Sequence, residues 1–254
     1  MNIILFTEED ASEENGIYFF SKNDDRYRHC KKILRLKVAD IFKAGLINGN
    51  AGTAEILSFT DEQLRFRFTP AQKKPARMHT YPVEVLLGFP RPIQLKRCLK
   101  DMATLGVKRI HLVPTELGEA SYLKSDLVQS SEMQKFLIEG ATQAGSTFVP
   151  QTKVYKNLEN FFTENSFSAN DLKLVFDITE NAHELCSFLE DKRNERINNI
   201  FLSIGNERGW TDRERKLFRE NAFSFCSLGK RILKTETAVT ASLAVSLSVL
   251  GFWK

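Results

Sequence analysis

Two short segments carry residue types and spacings suited to chemistry. Residues 204–210 read IGNERGW, with Gly205 and Gly209 bracketing Asn206, Glu207 and Arg208. Glycines in such a loop allow positive φ and let the backbone come close to a ligand. Thr211 and Glu214 have the spacing of a helix capping box, so a helix is expected to start there. Residues 228–238 read LGKRILKTETA, in which Lys230, Arg231 and Lys234 place three cations within five residues around the apolar pair Ile232-Leu233. Glu236 opens the apolar stretch that follows and fits the first turn of a helix, where the dipole favours a carboxylate. Clustered cations suit negative charge developing on a reacting group. A plain strand-to-helix turn accounts for the first loop equally well on spacing alone.

Other chemistries lack their signatures. There is no GxxxxGK[ST] phosphate loop, no GxGxxG after a predicted strand and no GxSxG elbow. His183-Glu184 has no second histidine to complete a zinc-protease motif, and His29, His79 and His111 have no ligand-like spacing, so no metal is expected. Cys30, Cys98, Cys186 and Cys226 are far apart, form no CxxC pair and read as small buried apolar residues.

The elements that must position the two loops follow from periodicity. Strands are predicted at 3–6 and 17–20, then a strand-rich run over 40–68 with NGNAG (48–52) as its hairpin turn. A short helix capped by Asp24 or Asp25 is expected to turn Cys30, Ile33, Leu34 and Leu36 inward and Arg26, Arg28, Lys31, Lys32 and Arg35 outward. This first part reads as a small β-barrel with one helix. Residues 69–82, rich in proline and charge, mark a domain boundary. Strands and helices then alternate: strands at 83–87, 109–113, 172–176, 200–204 and 223–228, helices at 92–105, 126–144, 180–190 and 212–220. That order predicts a mostly parallel sheet covered on both faces, with ligands beyond the carboxyl ends of its strands.

With 36 Lys plus Arg against 32 Asp plus Glu, the 254-residue chain is only mildly basic, at +4, so any nucleic-acid role must rest on a local patch. A composition of 42% hydrophobic and 27% charged residues is that of an ordinary globular protein. The N-terminus MNIILFTEED has no basic region ahead of an apolar core, so a cytoplasmic chain is expected. Residues 238–253 read as a helix buried on most sides rather than as a membrane anchor.

GNERGW, TDRE and LGKRILKTETA together resemble the GPEGGF and LG-x-R-I-L-R-T-E-T-A signatures of the RsmE family, SPOUT-superfamily methyltransferases that act on N3 of a uridine in small-subunit ribosomal RNA. His29 with KKILRL (31–36), LGV (105–107), and Gln143 with Gly145 ahead of Val149-Pro150 resemble further family segments in the same order. The resemblance implies an α/β fold: a trefoil-knotted SPOUT methyltransferase domain (80–254) preceded by a small PUA-like β-barrel that binds RNA (1–72). It implies S-adenosylmethionine as cofactor, contacted by Ile204, Gly205, Glu207, Gly209, Leu228, Ile232 and Leu233. Arg231 and Lys234 become the catalytic candidates, stabilising the base once N3 loses its proton. Arg26, Arg28, Lys31, Lys32 and Arg35 become the RNA-binding ones. Ribosomal RNA or the small ribosomal subunit is the implied partner, and a homodimer the implied assembly. Departures are specific: Asn206 and Arg208 stand for the Pro and second Gly of GPEGG, and Lys234 for Arg. Thr104 and Thr142 stand for Glu, Ser146 for Arg, and Glu116-Leu117 falls where an E-R pair is expected. They leave a second reading, a non-catalytic RNA-binding or ribosome-associated protein that retains the fold.

Overall fold

The computed structural model describes residues 3–12, 16–71, 80–125, 127, 132–179 and 181–253. The centre of the expected boundary segment, 72–79 with His79, lies outside the described residues, as do Asp126 and Glu180, where two helices were expected to start. Two compact units emerge, residues 1–79 with 141–149, and residues 80–140 with 150–254.

In the first unit β1 (Ile4–Phe6), β2 (Ile17–Ser21), β3 (Ile41–Leu46), β4 (Ala51–Phe59) and β5 (Gln63–Pro70) form one sheet in the order β1-β3-β4-β5-β2. β1 is parallel to β3; the other neighbours are antiparallel, and residues of the NGNAG segment turn the chain between β3 and β4. Alternation along the strands sends Phe20, Ala54, Ile56, Leu64 and Phe66 into a common core. The sheet curls until its edges meet through side chains: the Phe6 ring on one edge lies 4.5 Å from the Tyr18 ring on the other. Phe6, Phe20 and Phe42 gather on Phe66, with ring centres at 5.5 Å, 4.9 Å and 5.6 Å. Aromatic pairs of this kind each add roughly 1 kcal/mol beyond simple burial.

Asp24 caps α1 (Asp25–His29) by accepting the Arg26 N–H at 2.7 Å, as an N-cap carboxylate does for an otherwise orphaned donor. The chain then continues through Cys30–Leu34 as a π-helix ending at Arg35, whose φ is 53°. This wider turn corrects the expected inward face. Cys30 is buried, but the changed phase leaves Ile33 and Leu34 exposed. Arg26 is also corrected, because its guanidinium turns inward between Asp10 (2.7 Å and 2.8 Å) and Asp24 and lies 4.2 Å from the Phe20 ring centre. Burial disfavours its charge, yet the bonds to Asp24 and Asp10 win and hold its pKa above the ordinary value. Among the other basic candidates, Arg28 pairs with Asp25 and Lys31 with Asp61, while Lys32 and Arg35 are exposed.

Among the described residues the second unit has seven parallel strands in the order β10-β12-β9-β11-β6-β7-β8. They are β6 (Val83–Gly88), β7 (Arg109–Val113), β8 (Gln151–Val154), β9 (Leu172–Phe176), β10 (His183–Glu184), β11 (Ile200–Ile204) and β12 (Ser224–Ser227). The central strands β6 and β11 are buried along their whole length, as expected of a sheet covered on both faces. The described helices are α2 (Pro92–Thr104), α3 (Glu132–Ala144), whose residues from 141 on fall in the first unit, α4 (Leu158–Glu164), α5 (Leu185–Lys192), α6 (Asp212–Glu220) and α7 (Thr235–Val249). Phe161 of α4 and Phe218 of α6 share a core with Leu86, Val175 and Phe201, while α7 packs on β11 and against α2 and α5. Edge strands β8 and β10 had no apolar period to announce them, and the short α4 was missed although Asn157 caps it and Leu158, Phe161 and Phe162 have helical spacing. Helix α5 starts at Leu185 because His183 and Glu184 pair with β12, and Glu184 caps it by accepting the Cys186 and Ser187 N–H groups. Cys186 corrects the expectation of four buried thiols: Leu185 and Leu189 take the inward face of α5 and leave it exposed. Among the described residues no helix is long and apolar enough to cross a membrane.

A polar relay crosses this core. His111 Nε2–H donates to Glu84 Oε2 at 2.8 Å, His111 Nδ1 is 2.8 Å from the Tyr155 hydroxyl, and Asn165 Nδ2 donates to that hydroxyl at 3.1 Å. Burial alone would raise the Glu84 pKa; the His111 bond, with the charges of Arg109 and Lys108, reverses this and holds it below the ordinary 4.5. A depressed carboxylate contributes stability that is present above its unfolded-state pKa and lost as pH falls through its folded-state value. Replacing Glu84 with Gln is therefore expected to lower stability at pH 7 and flatten the fall in stability below pH about 4.5, read from urea unfolding at a series of pH values. An unchanged acid limb in the variant would remove Glu84 from that role.

Candidate functional site

Three loops leave the carboxyl ends of neighbouring strands β12, β9 and β11 and enclose a cavity of about 300 Å³. Parallel pairing puts those ends at one edge of the sheet, where open α/β sheets take ligands. The loop after β11 carries Gly205–Gly209, the loop after β12 carries Leu228–Leu233, and Asp177 and Ile178 follow β9. Ile204, Gly205, Glu207, Gly209, Leu228, Arg231, Ile232 and Leu233 all line the cavity. Lys234 is not brought to its wall. It is exposed and stands at the N-cap position of α7.

The loop after β11 is wound tightly by its own atoms. Asn206 Oδ1 accepts the Arg208 N–H at 2.9 Å and the Asn206 carbonyl accepts the Gly209 N–H at 3.0 Å. Gly209 has φ +70°, and a Cβ on Gly205 would lie 3.0 Å from Gly209 Cα. Trp210 then enters the core, 1% exposed, with its ring 4.8 Å from Phe218. The capping box forms as read: Thr211 Oγ1 accepts the Glu214 N–H and Glu214 Oε2 accepts the Thr211 N–H. Glu214 Oε1 also accepts the Glu116 N–H at 3.0 Å, and Thr211 Oγ1–H donates to Glu116 Oε2 at 2.6 Å, tying this loop to the one after β7. Glu207 turns its carboxylate to the Arg91 N–H, 2.9 Å away at the start of α2.

Polar and apolar groups divide the cavity. Asp177 holds Arg215 through its Nε at 2.6 Å; that bond raises the Arg215 pKa against its partial burial. Ile178 and Ile232 reach the rim with 65% and 84% of their surface exposed. Cys226 lies in the wall, but burial pushes its thiol up to about 12, so it holds its proton at neutral pH and supplies no thiolate. Glu236, in the first turn of α7 as expected, lies 3.3 Å from Arg97 through Oε1, while its buried Oε2 has no partner among the described residues. No group of three metal-ligating side chains occurs among the described residues. Asp177, Ile178 and Arg215 were missed in the sequence. An acid immediately after the apolar run LKLVF was the available signal, but its partner lies 38 residues away. The arrangement is one of backbone, apolar walls and rim cations. It suits binding and orienting a ligand with a flat apolar part, and it offers no nucleophile of its own.

A family model described as an RNA methyltransferase domain matches residues 77–247, and one described as an RNA methyltransferase PUA domain matches 23–69. The ribosomal RNA small subunit methyltransferase E of Treponema pallidum (strain Nichols) is 38% identical over 257 residues, covering 100% of this chain and 93% of that protein. A Borreliella burgdorferi relative, ribosomal RNA small subunit methyltransferase E 1, is 33% identical, covering 98% and 99%. Among solved structures, a ribosomal RNA small subunit methyltransferase E from Neisseria gonorrhoeae bound to S-adenosyl methionine shares the fold, with TM-score 0.76, 21% identity and 98% of each chain covered. A putative methyltransferase from Legionella pneumophila in complex with the cofactor SAM does likewise, with TM-score 0.79, 20% identity and 97% of each chain covered.

The loop geometry separates two glycine roles. Gly205→Val drives side-chain atoms into the Gly209 backbone and is expected to weaken S-adenosylmethionine binding at least tenfold in calorimetry while cooperative melting persists. Gly209→Ala meets open space and carries only the left-handed strain, about 1 kcal/mol, so its loss is expected to be smaller. Losses in melting that match the losses in affinity would reduce both glycines to turn formers.

Proposed function

The chain belongs to the RNA methyltransferase family whose domain model spans residues 77–247, and from that premise we propose that it transfers a methyl group from S-adenosylmethionine to N3 of a uridine in small-subunit ribosomal RNA. The observation that carries this reading is the cavity made jointly by the GNERGW and LGKRILKTETA loops. Its volume, its glycine-lined backbone and its apolar Ile232 and Leu233 fit a cofactor with an adenine ring and a charged amino-acid end. Ile204, Gly205, Glu207, Gly209, Leu228, Ile232 and Leu233 are the residues proposed to hold it, with Glu207 acting largely through its loop, since its carboxylate is engaged with the Arg91 N–H. The segment from β12 into α7 is proposed to thread a trefoil knot around that site, and two copies are proposed to pair as a homodimer.

When bound, S-adenosylmethionine supplies a methyl group activated by its sulfonium. The chain's own task is to align the acceptor for in-line displacement and to ease loss of the N3 proton. Negative charge then spreads onto the uracil oxygens, and a cation beside them favours the deprotonated base. Arg231, in the cavity wall, and Lys234, at the head of α7, are proposed for that role. Because N3 lies on the Watson–Crick edge, the uridine must be unpaired or drawn out of a helix. Residues 1–72 are proposed as the RNA-holding domain and 80–254 as the catalytic one, in the cytoplasm where ribosomes are assembled. Arg28, Lys31, Lys32 and Arg35 are the proposed phosphate-binding residues of the first. Arg26 is left out, since its guanidinium is engaged by Asp10 and Asp24.

Purified protein, S-adenosylmethionine and small subunits from a strain lacking the enzyme are expected to yield N3-methyluridine by mass spectrometry of the RNA. No cofactor binding at millimolar concentration would sink the reading and favour a non-catalytic RNA-binding role. The division of labour has its own test. Changing Arg28, Lys32 and Arg35 together to Ala is expected to weaken RNA binding and flatten its salt dependence, by about one in slope for each phosphate no longer neutralised, with cofactor affinity intact. Arg231→Met and Lys234→Met are expected to lower the single-turnover rate at saturating RNA more than they lower RNA affinity, with Arg231 the more sensitive. If the triple variant keeps its RNA affinity and the Met variants keep their rate, the assignment of roles is wrong.

A further inference from the structure

We propose that Arg208 is an RNA-contacting residue, presenting its guanidinium at the mouth of the cavity to a phosphate beside the target uridine. The inference rests on the RNA methyltransferase reading of that cavity and adds a residue the reading does not use. Arg208 lies in the cavity lining with its side chain 61% exposed. Its Nη1 donates to the Leu117 carbonyl at 3.2 Å and its Nη2 to Glu119 Oε1 at 2.9 Å, both in the loop after β7. A guanidinium has five N–H donors in a fixed plane, so two bonds orient it and three donors remain for an anion.

The loops do not need this side chain to hold their shape. The Arg208 backbone N–H is already taken by Asn206 Oδ1, Trp210 anchors the loop in the core, and Glu116 and Glu214 tie the two loops together through Thr211 and backbone. Glu119 is half exposed as well, and ion pairs of such exposure contribute little stability. The pair therefore aims the guanidinium more than it stabilises the fold. Charge agrees with the direction of aim: Glu207, the nearby acid of the loop, is turned to the Arg91 N–H, while Arg231 shares the cavity lining with Arg208.

The guanidinium of Arg208 sits on the carbonyl of Leu117, so an arginine placed at 117 would start from the same corner of the mouth.

The test uses fluorescence anisotropy with a small-subunit ribosomal RNA fragment across a salt series, beside calorimetry with S-adenosylmethionine and melting of each variant. Arg208→Ala is expected to weaken RNA binding about tenfold and reduce the salt slope by about one, with a smaller effect on cofactor affinity. Arg208→Lys is expected to restore the slope and little of the affinity, because a point charge does not reproduce bidentate recognition. Arg208→Ala combined with Leu117→Arg is expected to recover most of both. Unchanged RNA affinity and slope in Arg208→Ala, or a fall in cofactor affinity equal to the fall in RNA affinity, would overturn the proposal, as would failure of Leu117→Arg to rescue a folded variant. If the wild-type chain binds RNA but methylates none, the functional reading fails while the slope still decides the fate of Arg208.

Discussion

Parallel pairing of β9 with β11 on one side and β12 on the other is the constraint from which the site follows. Parallel strands must all end at the same edge, and each must be followed by a crossover long enough to return the chain to the opposite edge. Three loops distant in sequence, at 177–178, 205–209 and 228–233, are thereby delivered to one cavity. The hydrogen-bond register places Ile204 level with Phe176 and Phe176 level with Cys226, so the loops leave the sheet side by side. Nothing in the cavity wall has to be held by strain elsewhere. The ladder fixes where the loops begin, and Trp210 and the Thr211–Glu214 box fix where the first of them ends.

Buried polar groups in this unit serve alignment. Glu84, His111 and Tyr155 lie almost wholly inside and join β6, β7 and the chain just after β8 through a continuous line of hydrogen bonds. Leaving any one partner unsatisfied inside costs roughly 2 kcal/mol, more for a charged group, so the line tolerates only one register of those strands. Glu214 does the same for the two loops at the mouth, since it is buried and accepts N–H groups from both. In the first unit Arg26 plays this part, drawing Asp10 and Asp24 to one guanidinium beneath the curled sheet.

What the sequence disclosed, and what it hid, divides by range. Long apolar strands, the capping box and the glycine loop are local patterns, and the structure realises them within a residue or two. Strand β8 reads QTKV and is an exposed edge, so it had no period to detect. The turn at Cys30–Leu34 looked amphipathic at the α period, but its π geometry rotates Ile33 and Leu34 out to solvent. Arg26 looked like one more cation on a basic helix because the acids that claim it lie 16 and 2 residues away, with only tertiary folding bringing Asp10 close. The same holds for Asp177 with Arg215 and for Arg208 with Glu119, pairings across 38 and 89 residues. Pairings of charge across loops are set by the sheet, and a linear pattern carries no record of them.

A site built largely from backbone tolerates the departures of this chain from the motifs it resembles. Proline at the second position of the loop would restrict φ by its ring. Asn206 has no such restriction, and its side-chain oxygen on the Arg208 N–H closes a local turn. The second glycine of the motif is replaced by Arg208, whose φ is not in the left-handed region, so the conformation asks nothing of a glycine there. Gly205 and Gly209 are different, one for closeness of approach and one for positive φ, and both are present. The path of the loop is then set by its backbone and by the Asn206 side chain, and the side chain at 208 is left to act at the mouth.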